Sequence, residues 1–223
     1  MTASEIGARG LELSEGERCL VVYWPLEGEE AGIYMAVPDK PTIKAVMNEP
    51  LASNGEGIIE QIMAIDEASP RLWENFSRHY PDIADHFKAM VQEGDPRVSM
   101  GYLLWCASAL LWLSDDDIVT AQTLEKVGLK VDTVLGARDG VAVMETPKLL
   151  RSLISYKIAG VGNSTILFSM YESLADFIID TAGQLNETFR SRVVVFLGDV
   201  ASQPLVKDRL DHRMGRRSKL IWG

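Results

Sequence analysis

The chain has 223 residues, 47% of them apolar and 24% charged, enough for one large domain or two small ones with a substantial core. That composition excludes disorder along the whole chain. A formal net charge of −10 excludes a surface that is basic all round, and favours a basic or neutral partner over bare nucleic acid or an anionic membrane.

Residues 1–17 are small and polar, a loose arm without the basic-then-apolar layout of a signal peptide. Cys19–Leu26 (CLVVYWPL) and Ile33–Val37 (IYMAV) are β-branched and aromatic, and the glycine-bearing segment between them predicts a hairpin with a longer loop. Pro25 makes the first strand short or places it at an edge, and Pro38–Pro41 closes the unit.

From there the pattern turns helical. Ile58, Ile59, Ile62, Met63 and Ile65 form a stripe at three- and four-residue spacing. Ser69-Pro70 pairs a capping residue with proline at the first helical position, and Pro81 opens the next helix. Gly94-Asp95-Pro96 ends that helix. The longest apolar run, Val98–Leu113, has 16 residues, short of the roughly 20 that span a bilayer, and reads as a buried helix. Ser114 caps a helix whose first turn holds Asp115, Asp116 and Asp117, carboxylates suited to the positive end of a helix dipole. That helix is expected to reach Val127-Gly128. The segments around Ala137–Gly140 alternate weakly and predict a second small hairpin. Thr146-Pro147 repeats the cap-then-proline signal, and Leu167 to Ile178 carries another helical stripe. The run Val193–Leu197 (VVVFL) fits a strand or a buried helix equally well. Pro204 opens a last short helix.

The expected fold is α+β, predominantly α-helical, with a short N-terminal β-hairpin packed on a helical body. It divides into a small β-containing part (1–50), a helical body (51–203) and a basic amphipathic tail (204–223), within a single domain overall. The tail holds the clearest charge asymmetry: residues 207–223 carry six basic against two acidic side chains.

Few residues suggest chemistry. Residues 158–165 (IAGVGNST) resemble the phosphate loop KGGVGKST of the partitioning ATPases at five of eight positions, but both lysines are missing. A helical segment precedes the loop, where a phosphate loop follows a strand. The stretch therefore reads as a joint in which Gly160 and Gly162 stop one helix and Asn163 or Ser164 caps the next, leaving amides that accept an anion such as a neighbouring carboxylate. Asp82 and His86 stand four apart, the weak candidates for a metal site; as an exposed pair they are first a helix surface contact. Cys19 and Cys106 show no CxxC spacing, which leaves a disulfide framework or cysteine zinc site unsupported and points to a reducing, cytoplasmic setting. No GxSxG is present, and no cofactor is expected.

Arg209, Arg213, Arg216, Arg217, Lys219 and Trp222 are the expected partner-binding residues. The leading expectation is a non-enzymatic interaction or assembly protein whose basic tail docks on a protein partner or a second copy, with no membrane contact. The alternatives are a nucleic-acid-binding, coat-like assembly protein using the same tail, and a small enzyme or nucleotide-binding protein using the Gly160–Thr165 turn.

Overall fold

The computed structural model describes residues 18–26, 31–37, 42–92, 98–125 and 129–223. The expected arm at 1–17, the Pro38–Pro41 closure and the residues of Gly94–Pro96 and Val127-Gly128 lie outside them; the helices expected to reach the last two end earlier, at Ala89 and Thr123.

Cys19–Tyr23 (β1) and Gly32–Ala36 (β2) form an antiparallel hairpin, paired from Cys19↔Ala36 to Tyr23↔Gly32. The next segment departs from the expected helical pattern: Ile43–Asn48 continues as β3, antiparallel to β2. Five helices follow: Gly55–Met63 (α1), Ser69–His79 (α2), Pro81–Ala89 (α3), Met100–Leu111 (α4) and Asp115–Thr123 (α5). Leu135–Arg138 (β4) and Val141–Met144 (β5) then return the chain to the sheet as a hairpin, with β5 parallel to β3. Its turn places Asp139 (φ 51) and Gly140 (φ 80) in the left-handed region, the backbone of a type I′ hairpin. Thr146–Ile158 (α6), Asn163–Phe189 (α7), Val193–Leu197 (β6), Pro204–Met214 (α8) and Lys219–Trp222 (β7) complete the order. β6 lies parallel to β1, and β7 parallel to β6.

The result is one seven-stranded mixed sheet, ordered β4-β5-β3-β2-β1-β6-β7. This corrects the expectation of a mainly helical body with a hairpin at its side: the hairpin supplies two inner strands of an α/β fold. β1 lies between β2 and β6, so Pro25 stands beyond the strand's end and marks no edge. β6 is buried on both faces, and for that reason VVVFL shows no alternation. The tail contributes a helix and a strand of the domain itself.

Side chains sort by the two-residue period of the strands. Leu20, Val22, Ile33, Val46, Val194 and Phe196 join the helical layer in the main core, where Leu103 and Leu110 of α4, Leu149 and Leu153 of α6, and Leu174 and Ile178 of α7 also lie. Cys19, Val21, Val193, Val195 and Leu197 form a smaller cluster on the opposite face. At the start of α5, Ser114 and Asp117 make a reciprocal capping box. Arg209 fastens α8 to α7: its Nε and one terminal nitrogen meet the two oxygens of Asp176 at 2.8 and 2.7 Å, and the other nitrogen pairs with Glu172. Among the described residues no helix is long and apolar enough to cross a membrane.

Phe196 is fully buried in β6 and stacks on Trp222, with ring centroids 4.4 Å apart. Phe196→Ala is expected to lower the unfolding free energy by about 3–5 kcal/mol, measured by urea titration.

Candidate ligand-binding crevice

Three parallel strands, β1, β6 and β7, end at the same rim of the sheet. In open α/β sheets ligands bind in the crevice outside such carboxyl ends. Past their last paired residues, Tyr23↔Leu197, the chains leaving β1 and β6 stay in contact. The Trp24 amide donates to the Leu197 carbonyl at 2.9 Å, and the Val200 amide donates to the Trp24 carbonyl at 3.2 Å. Gly198 lies between these bonds with φ 98, and a Cβ there would stand 2.5 Å from the Trp24 carbonyl carbon. Any side chain is therefore excluded twice, by backbone conformation and by space. Asp199 turns its carboxylate to the Leu26 amide, which donates at 3.3 Å. The Ser202 hydroxyl donates to the Gly198 carbonyl at 3.3 Å, and α8 begins two residues later.

These loops border a cavity of about 720 Å³ lined by Tyr23, Pro25, Leu26, Gly198, Asp199, Ser202 and Gly223. The volume falls in the range of small-molecule sites. Among the described residues Asp199 is the one charged side chain of its lining, and no lysine or arginine joins it. The arrangement offers main-chain polar groups, a hydroxyl and a carboxylate to a polar ligand. Its sequence signal, Gly198-Asp199 after an apolar run and before Pro204, becomes readable only once Val193–Leu197 is assigned as a strand.

The residues singled out from sequence fall elsewhere. Gly160 has φ 77 at the end of α6, and the residue that caps α7 is Gly162, which makes no side-chain capping bond; Asn163 is already helical. The Asn163 amide group donates to Asp117 at 3.2 Å and the Ser164 hydroxyl donates to the same carboxylate at 3.3 Å. Lys157 donates to the Asn163 side-chain oxygen at 2.6 Å and to the Leu111 carbonyl at 2.9 Å. Burial lowers its ammonium pKa, against the attraction of Asp117. The joint thus ties the ends of α4 and α6 to the starts of α5 and α7.

Arg209 is held within the chain by Asp176 and Glu172, while Arg213, Arg216, Arg217 and Lys219 are exposed. Trp222 lies half-buried on Phe196, with the Lys207 ammonium 4.0 Å above its ring. Asp82 and His86 are both exposed on α3, and among the described residues no group of three His, Cys, Asp or Glu side chains is placed to hold a metal. Burial pushes the Cys106 thiol up to about 12, so it stays protonated at neutral pH.

Comparison with known proteins adds the context of this crevice. No family model matches the chain. Protein HydE of Wolinella succinogenes is 24% identical over 209 residues, covering 88% of this chain and 35% of HydE. The solved structure of full-length HypF in its phosphate- and nucleotide-bound form superposes with a TM-score of 0.67 and 13% identity, covering 99% of this chain and 38% of HypF. HypF of T. kodakarensis gives a TM-score of 0.64 at 12% identity, over 92% of this chain and 31% of that one. The chain therefore spans about a third of the length of these proteins. The likeness to HypF establishes the α/β fold, and it includes the segment expected to be a docking tail. With HydE, it corrects the expectation of a simple assembly protein and of its coat-like alternative.

Two outcomes follow from this geometry. Gly198→Ala is expected to destabilise the fold by more than about 1 kcal/mol, read as a lowered urea midpoint, because the backbone strain adds to the clash with Trp24. The Ser114 amide first, then the side chains of Ser114, Asn163 and Ser164, hold the Asp117 carboxyl below its usual pKa. Its folded form thus binds a proton more weakly than the unfolded chain. That stabilisation is complete above roughly pH 4 and is lost as the pH falls through the folded value. Asp117→Asn is expected to flatten this part of the acid limb in a stability profile between about pH 5 and pH 2.

Proposed function

We propose that the chain is a phosphate- and nucleotide-binding domain serving hydrogenase maturation in the cytoplasm, with its ligand seated in the Gly198–Asp199 crevice. The observation that carries this reading is the Gly198–Asp199 turn at the carboxyl ends of three parallel strands, in a chain similar over 99% of its length to a HypF solved with phosphate and nucleotide. The names of HydE and HypF support the biological setting.

The chemistry fits in a specific way. Gly198 packs its bare Cα against the Trp24–Pro25 backbone and so sets the turn that brings main-chain groups, Asp199 and Ser202 to the crevice. Ser202 supplies a hydroxyl. Asp199 repels a bare phosphate, so the ligand enters as its magnesium complex, with the carboxylate facing the cation. The apolar rings of Tyr23 and Pro25 supply a wall for the base or sugar.

Isothermal titration of the chain with Mg·ATP, Mg·ADP and inorganic phosphate tests this. Saturable binding is expected, weakened at least ~10-fold by Asp199→Asn, about 1.4 kcal/mol, and abolished by Gly198→Val. Absence of heat at millimolar ligand, or equal affinity in both variants, would refute the reading.

A further inference from the structure

Where α3 packs against α4, the two helices leave a groove of about 240 Å³ lined by His86, Trp105, Ser108, Ala109, Trp112 and Leu113. Two indoles stand open in it: Trp105 is 40% exposed and Trp112 53%. Trp105 stacks on Tyr102 with centroids 5.6 Å apart, and Trp112 meets the His86 ring edge-on at 5.3 Å. Trp112 also ends α4 in a left-handed backbone, φ 55 and ψ 56, where a helix end ordinarily takes glycine. For a bulky residue that conformation is disfavoured. Exposure and backbone strain both weigh against stability here, and burial does not offset them. Strain of this kind concentrates where a side chain serves binding.

The surroundings specify the charge of what binds. Asp82 stands one turn before His86 on α3 and Asp85 is its neighbour. Asp115 and Asp116 open α5 just past Trp112 and Leu113. All four carboxylates are exposed; the ammonium groups nearby are Lys88 on α3 and Lys157, which is held by the Leu111 carbonyl and the Asn163 side chain. Exposed Ile118 and Val119 add apolar surface on α5. An indole face attracts a guanidinium through its quadrupole, and arginine stacks flat on such a ring. Carboxylates at a rim steer and pair a cationic partner, and they repel phosphates.

We propose that this groove docks a cationic segment of a partner protein. Arginine side chains lie on Trp105 and Trp112, an adjoining apolar side chain fills the groove floor at Ala109 and Leu113, and the aspartates pair at the rim. The surface is independent of the Gly198–Asp199 crevice.

A labelled amphipathic peptide of arginine and leucine, and its glutamate counterpart, are the probes, titrated against the full chain by fluorescence anisotropy. The arginine peptide is expected to bind and the glutamate peptide to fail. Trp105→Ala and Trp112→Ala are each expected to weaken binding about tenfold. Asp115→Asn with Asp116→Asn weakens it and flattens its salt dependence, whereas Asp208→Asn on α8 leaves it unchanged. Trp112→Gly separates docking from folding: it raises the melting temperature by relaxing the backbone while binding falls. No binding of the arginine peptide, full binding by the tryptophan variants, or an equal loss in Asp208→Asn would overturn the proposal. So would a lowered melting temperature in Trp112→Gly, which would mark the indole as structural.

Discussion

The close approach of two backbones at Gly198 is the constraint on which the rest of the structure depends. The Asp199 carboxylate and the Leu26 amide meet across 173 positions of sequence. Parallel pairing of β1 with β6 requires a long crossover, and everything from β2 to α7 fills it. The β6 chain turns away beneath Trp24 only because residue 198 has no side chain. That turn delivers Asp199 and Ser202 to the crevice and starts α8 at Pro204. Arg209 then holds α8 against α7, and β7 closes along β6. One glycine thus couples the edge of the sheet, the placement of the last helix and the shape of the cavity.

Much of the helical layer was legible in the sequence, because its signals are local. Ser69-Pro70, Ser114 with Asp117, and Thr146-Pro147 mark helix starts locally, though of the three serine or threonine caps expected, Ser114 alone caps with its side chain; Ser69 and Thr146 are already helical, behind Ala68 and Glu145. The two hairpins, β1–β2 and β4–β5, were legible from their turns, whereas β3, β6 and β7 were not, for the converse reason. β3 is a six-residue segment whose strand character comes from its neighbours β2 and β5. β6 is buried on both faces, so its apolar run has no period to separate strand from helix. β7 is four residues long and sits among arginines that suggested a docking tail.

The candidate crevice was hidden by the same failure. Gly198-Asp199 is an ordinary dipeptide until β6 is known to be a strand lying beside β1. The glycine-rich stretch at residues 160–165 drew attention by its composition, yet its work is to join helices: Asn163 and Ser164 share the Asp117 carboxylate with the Ser114 cap. Charge was misleading in a similar way. The arginines of the last segment stood out by count, while the structure gives the most buried of them, Arg209, to an internal carboxylate pair.

The central claim is the location of the ligand, and amide hydrogen exchange with and without Mg·ADP tests it most directly. The account predicts added protection in the segments around Trp24–Leu26 and Gly198–Ser202, with residues 160–165 unchanged. Protection confined to residues 160–165, or absent from both loops at saturating ligand, would contradict it.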